Sequence, residues 1–226
     1  QAKTDVSGRS RQAKTDPDPD QDKQSAKPLQ SIDTHRGLAQ NRKMKSVRDV
    51  FARVTETLGE SHLPCLLIGG FAVNYYGYTR NTLDVDFMIA AEQLDAVRSA
   101  LVKAGFINVT IEENVAFFNA PECPFRVDFL RVDAATLARL LDHAQWVEVQ
   151  GCRVQIPALL DLLAMKIFAL AQNTARRSGK DLADIAFLSA IHRLDEDRDI
   201  KPLCDRFGSA AVFDLIRREI EAMTAP

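Results

Sequence analysis

Residues Leu67–Ile89 read LIGGFAVNYYGYTRNTLDVDFMI. An apolar segment runs into Gly69-Gly70, a short helical stretch follows, and a second apolar segment carries Asp84 and Asp86 one residue apart. Side chains at i and i+2 of a strand point the same way. Val85, Phe87 and Ile89 alternate with Asp84, Asp86 and Met88, so the strand has an apolar face and a face that carries both acids. A lone D-x-D is common and is mostly a solvated strand face. Gly69-Gly70 upstream and Thr79-Arg80-Asn81-Thr82 just before the acids make the pattern more specific. Two carboxylates beside a glycine turn at a helix start can hold a divalent metal next to a phosphate.

The segment resembles the signature of the nucleotidyltransferase superfamily, the polymerase β-like fold. Within it, IGGFAVNYYGYTRNTLDVDFMI most resembles the AbiEii-type nucleotidyltransferases, toxins of toxin–antitoxin and abortive-infection systems. A later stretch, IPALLDLLAMKIFALAQNTARRSGKDLADIAFL from Ile156 to Leu188, is similar to their helical part. There a lysine on one helix is followed by a Lys-Asp-x-x-Asp helix. The resemblance covers Pro64 to Leu188.

The resemblance implies transfer of a nucleoside monophosphate from a nucleoside triphosphate such as ATP or GTP, with release of pyrophosphate. It implies Mg2+ or Mn2+ held by three carboxylates. Asp84 and Asp86 supply two, and the third is expected from a neighbouring strand. Asp128 in Phe125-Arg-Val-Asp-Phe-Leu is preferred, because alternation puts Val127 and Phe129 in the core and Arg126 and Asp128 on the opposite face. Asp133 is the other candidate, but it stands where a helix begins and reads well as an N-cap.

Gly69 and Gly70 are expected to let backbone approach the triphosphate closely; the alternative is an ordinary strand-to-helix turn. Thr79 and Arg80 are expected near phosphate, with a surface loop as the alternative. Lys166 sits among Leu162, Leu163, Met165, Ile167 and Phe168. A lysine in such company ordinarily snorkels, whereas the family pattern places it toward the triphosphate as a catalytic group. Lys180, Asp181 and Asp184 open a helix. By themselves the acids read as a solvated first turn complementing the helix dipole. The resemblance makes Asp181 or Asp184 a partner that orients Lys166 or Lys180, all close to the nucleotide.

The acceptor is expected to be RNA, such as tRNA, or a protein, with an antitoxin as a further partner. A small-molecule (antibiotic) nucleotidyltransferase shares the same core motif. A non-catalytic nucleotide-binding module is the third reading, and three intact carboxylates speak against it.

Bulk properties agree with a globular protein carrying a polar tail. The 226 residues carry a net charge of −2. Residues 1–43 hold nine Lys/Arg and six Asp, and the remainder 20 basic and 25 acidic groups. An acidic body does not make a broad nucleic-acid surface. No apolar run reaches the roughly 18 to 20 residues that span a membrane. The N-terminus is polar, without a secretory pattern. Cys65, Cys123, Cys152 and Cys204 lack metal spacing, and cytoplasm is the expected location.

The expected class is α+β: a small mixed sheet with helices, then a helical C-terminal region. Residues 1–43 lack aromatics and read as a disordered tail or a non-native extension. The folded part is expected to begin near Met44, with a nucleotidyltransferase core at 44–156 and helices at 157–226. Helices are expected at 47–59, 71–76, 91–104, 134–143, 157–174 (with Pro157 in its first turn), 179–193, 201–207 and 210–223. Strands are expected at 63–68, 82–89, 115–119 and 126–132, with a hairpin at 145–156.

Overall fold

The computed structural model describes residues 44–121 and 123–224. The tail expected at 1–43 lies outside the described residues. The described residues belong to one compact unit, Ala39–Pro226.

Helix α1 (Val47–Glu60) is started by Ser46, whose hydroxyl accepts from the Asp49 N–H while Asp49 reaches back to the Ser46 N–H, a reciprocal cap. Its face of Val50, Phe51, Val54 and Leu58 is buried. The central sheet has the order β1 (Leu66–Leu67), β2 (Asp84–Ala90), β5 (Arg126–Val132), β4 (Val115–Asn119) and β3 (Ile107–Ile111). Strands β2 and β5 are parallel; every other pairing is antiparallel. The sheet is therefore mixed, as expected. Between β2 and β5 the chain passes through α3 (Leu94–Lys103) and the β3–β4 hairpin.

One sheet face packs Val85, Phe87, Ile89, Val127 and Phe129 against α1, α3 and the second hairpin, β6 (Gln145–Val149) with β7 (Cys152–Ile156). Phe87 stacks on Phe129 at 5.7 Å, and Phe51 leans on Phe87 at 6.1 Å. Among the described residues the other face is covered only in part. Helix α4 (Ala134–Asp142) lays Leu137 and Leu140 over Met88 and Ala90. Asp84 and Asp86, at the start of β2, stay partly exposed.

Helices α5 (Leu159–Gln172), α6 (Thr174–Arg177), α7 (Ala183–Ile191), α8 (Lys201–Phe207) and α9 (Ala210–Thr224) follow. Leu162, Leu163, Ile167, Leu170, Ile185, Leu188, Val212 and Ile216 form their core. The short helix α2 (Gly69–Tyr75) joins the two cores, with Phe71 in the sheet core and Ala72 and Val73 in the helical one.

Four expected boundaries shift. The strand at 63–68 shrinks to Leu66–Leu67, because Pro64 has no N–H for the ladder. Gly69 and Gly70 form the first turn of α2 rather than a separate turn before it. Pro157 precedes α5 instead of opening it; Ala158 is the N-cap, and the Pro157 carbonyl accepts from the Tyr76 hydroxyl at 2.6 Å. The expected helix at 157–174 breaks at Asn173, whose backbone leaves helical geometry and whose side chain caps α6. A wide π turn, Ser178–Leu182, then leads into α7.

Candidate active site

Parallel pairing puts Asp86 directly beside Asp128, and Asp84 beside Arg126. Adjacent strands lie about 4.8 Å apart, so Asp84, Asp86 and Asp128 share one patch of the uncovered face. Asp133 is not part of it. Its carboxylate accepts from the Thr136 N–H at 2.8 Å and caps α4.

Gly69 is required here by its close approach to Asp86. Its φ is +65°, and a Cβ there would stand 2.0 Å from Asp86 Oδ2. The missing side chain makes room for the carboxylate itself. A Cβ on Gly70 would meet Thr82 Oγ1 at 2.6 Å. The Ile68 N–H donates to the Asp86 carbonyl at 2.9 Å, tying the entry of α2 to the acid strand.

The electrostatics follow from burial first and from neighbouring charges second. Burial, then the neighbouring Asp128, pushes the Asp86 carboxyl up to about 6, against the pull of Lys180. Burial also raises Asp128, although the hydrogen-bonded Arg126 guanidinium draws it back. Arg126 grips Asp128 with both prongs, Nε to Oδ1 at 2.6 Å and Nη2 to Oδ2 at 2.7 Å, and stands 3.7 Å from Asp84 Oδ2. Its guanidinium lies 4.5 Å from the centre of the Phe117 ring.

A second charged assembly is buried beside the first. Lys166 on α5 is only 6% exposed and does not snorkel. Its ammonium contacts Asp184 at 2.6 Å and Asp181 at 3.0 Å. Asp184, fully buried, also takes a two-pronged contact from Arg80 at 2.6 and 2.8 Å. Arg177 reaches Asp181 at 3.1 Å. Asn74 fixes the Arg80 backbone by donating to its carbonyl and accepting from its N–H, both at 3.0 Å. The expected solvated first turn at Asp181 and Asp184 is thus replaced by a buried network, since two carboxylates in the interior need cations. Both acids orient Lys166 rather than Lys180. Lys180 is exposed, and its charge acts on Asp86 and Asp128. Thr79 is exposed in the loop before β2.

Arg126, Phe117 and Asn74 were not among the expected site residues. For Arg126 the signal was present: it stands two residues before Asp128 on the same strand face. The partners of Asn74 and Phe117 are set by packing between elements and leave no sequence trace.

Among the described residues no three His, Cys, Asp or Glu side chains already converge as a metal cage. The donor set of Asp84, Asp86 and Asp128 nevertheless fits a hard divalent cation. All its donors are carboxylate oxygens.

The sequence matches, over residues 18–223, a family described as uncharacterised nucleotidyltransferase. No curated protein sequence matches the chain. Among solved structures, the antibiotic-resistance factor ANT(2'')-Ia in solution superposes with a TM-score of 0.50 at 14% identity, covering 79% of this chain and 92% of its own. The same factor in complex with adenylyl-2''-tobramycin gives 0.50 and 14%, covering 78% and 98%. The lincosamide antibiotic adenylyltransferase LnuA, with lincomycin bound, gives 0.48 and 14%, covering 65% and 98%. The likeness to ANT(2'')-Ia is one of fold: a small mixed sheet with many helices.

Proposed function

This chain belongs to the nucleotidyltransferase family that its sequence matches, and we propose that it moves a nucleoside monophosphate from NTP to an RNA or protein acceptor. The observation that carries the reading is the register of Asp86 against Asp128, with Asp84 on the same face and Gly69 leaving room for the Asp86 carboxylate. Asp84, Asp86 and Asp128 would hold Mg2+ or Mn2+, which supplies charge neutralisation at the phosphates and activation of the acceptor hydroxyl. The acceptor hydroxyl gives its proton to water, its oxygen forms a bond to the α-phosphorus, the bond from that phosphorus to the bridging oxygen breaks, and pyrophosphate leaves. The chain's own part is to position these groups and to hold fixed charge where negative charge builds up.

Lys166 and Arg80 contribute that fixed positive charge. Asp181 and Asp184 hold them in place, so neither has to reorganise during transfer. Exposed Lys180 and Thr79 stand where incoming phosphates can meet them. Support for a macromolecular, toxin-like acceptor comes from the resemblance of residues 156–188 to the AbiEii-type helical segment. An antitoxin partner and a cytoplasmic setting belong to the same reading. No helix among the described residues is long and apolar enough to cross a membrane.

A small-molecule acceptor is the second reading, supported by ANT(2'')-Ia, an antibiotic-resistance factor solved with adenylyl-2''-tobramycin. Incubation with each α-labelled NTP, Mg2+ or Mn2+, total RNA and cell protein separates the two, with Asp84→Ala/Asp86→Ala as the control. Label on RNA or protein from wild type alone is the expected result. Label on added tobramycin instead would move the acceptor to the second reading. NTP binding without any transfer would favour a non-catalytic module.

A further inference from the structure

Two arginines at this site grip carboxylates with the same fork, in opposite surroundings. Arg80 holds Asp184, which has no exposure, inside a network where Lys166 is also buried. Such a pair is fixed, because separating it strands a charge in the interior. Arg126 holds Asp128 on an open face: 41% of the Arg126 side chain is exposed, and Asp128 retains 13%. Water can receive that guanidinium, so the pair can separate without stranding an arginine in the interior.

The Arg126 fork engages both oxygens of Asp128. Those are the oxygens a cation shared with Asp86 would need. Phe117, which pairs with Asp128 across β4 and β5, offers the guanidinium an aromatic face beside the carboxylate. The guanidinium already rests on that ring while it holds Asp128.

We infer that Arg126 is a displaceable cation guarding the metal site: in the metal-free protein it holds Asp128, and a divalent ion enters by taking that carboxylate from it. The inference rests on the reading of Asp84, Asp86 and Asp128 as metal ligands. It makes Arg126 a positioning residue that stands in for the metal's charge and keeps three acids from facing one another unneutralised. Nucleotide-free protein then binds metal less tightly than its carboxylates alone would allow.

Binding of Mn2+ to the full chain without nucleotide, followed by the loss of the free-ion paramagnetic resonance signal, tests this. Arg126→Met is expected to bind Mn2+ about tenfold more tightly than wild type, since a two-pronged charge-assisted hold is removed. Arg126→Lys, which keeps the charge but loses the fork, is expected in between, and it serves if the Met variant folds poorly. In an Asp128→Asn background the Met substitution is expected to give little gain. An equal gain in that background would show that Arg126 acts only as a nearby positive charge, and no gain in either would show that it does not compete; both overturn the inference. Asp86→Asn separates the underlying reading. If it leaves Mn2+ binding unchanged, the carboxylates are not the metal site and the guard falls with them. If it abolishes binding while Arg126→Met gains nothing, the metal site stands and the guard alone is wrong.

Discussion

Replacing Asp86 with Asn is expected to abolish transfer and yet to stabilise the metal-free fold. Asp86 has an ordinary carboxyl value of 3.8 and is raised to about 6 by burial and by Asp128. A carboxyl raised in the folded state binds its proton more tightly there than in the unfolded chain. Ionising it therefore costs folding free energy. Below pH 3.8 both states are protonated and there is no cost; it grows as pH rises toward 6 and is constant above that. Each unit is worth about 1.4 kcal/mol, so the upper limit at pH 8 is about 3 kcal/mol. Asn keeps the shape that fits against Gly69 and removes the charge, so a net gain of about 1–3 kcal/mol is expected. For a domain of this size that corresponds to roughly 3–10 °C in melting temperature. Thermal melts by circular dichroism in EDTA at pH 8 and pH 4, wild type beside Asp86→Asn, read it directly. The advantage should be present in full at pH 8 and fall to about 0.5 kcal/mol at pH 4. Added Mg2+ should raise the melting temperature of wild type at pH 8 but not that of the variant. An Asn variant no more stable than wild type at pH 8, or equally advantaged at both pH values, would refute the reasoning.

Gly69→Ala should destroy activity and cost about 1–3 kcal/mol in urea unfolding, since its Cβ would stand 2.0 Å from Asp86 Oδ2 at a φ of +65°; a fully active, stable Ala variant would remove the close approach as a constraint. Lys166→Ala should destabilise by about 3–5 kcal/mol, because Asp181 and Asp184 lose a buried cation; a change under 1 kcal/mol in urea unfolding would return Lys166 to the status of a tolerated surface lysine. Asp133→Ala should lower the melting temperature slightly through its lost cap and leave turnover intact, whereas Asp128→Asn should eliminate turnover. The reverse pattern in a kinetic assay would exchange their roles.

The sequence alone determined the alternation that puts Asp84 and Asp86 on one face of their strand and Asp128 opposite the core side of its own, and the assignment of Asp133 to a helix cap. These readings rest on local periodicities of two and on capping chemistry, which act between residues a few positions apart. Strands β4 and β5 stand at 115–119 and 126–132, where alternation put them. Tertiary structure alone decided what each charge faces. Arg80 and Asp184 lie 104 positions apart, and only the packing of α7 beside the loop before β2 brings them together. Asp181 and Asp184 have the spacing of a solvated first turn, yet they are buried because the preceding π turn and α5 deliver Lys166 between them. Gly69 was legible as a special position, but its contact with Asp86 was not. Whether a glycine yields to a ligand or to a neighbouring carboxylate depends on the strand laid against it, and that contact belongs to the fold.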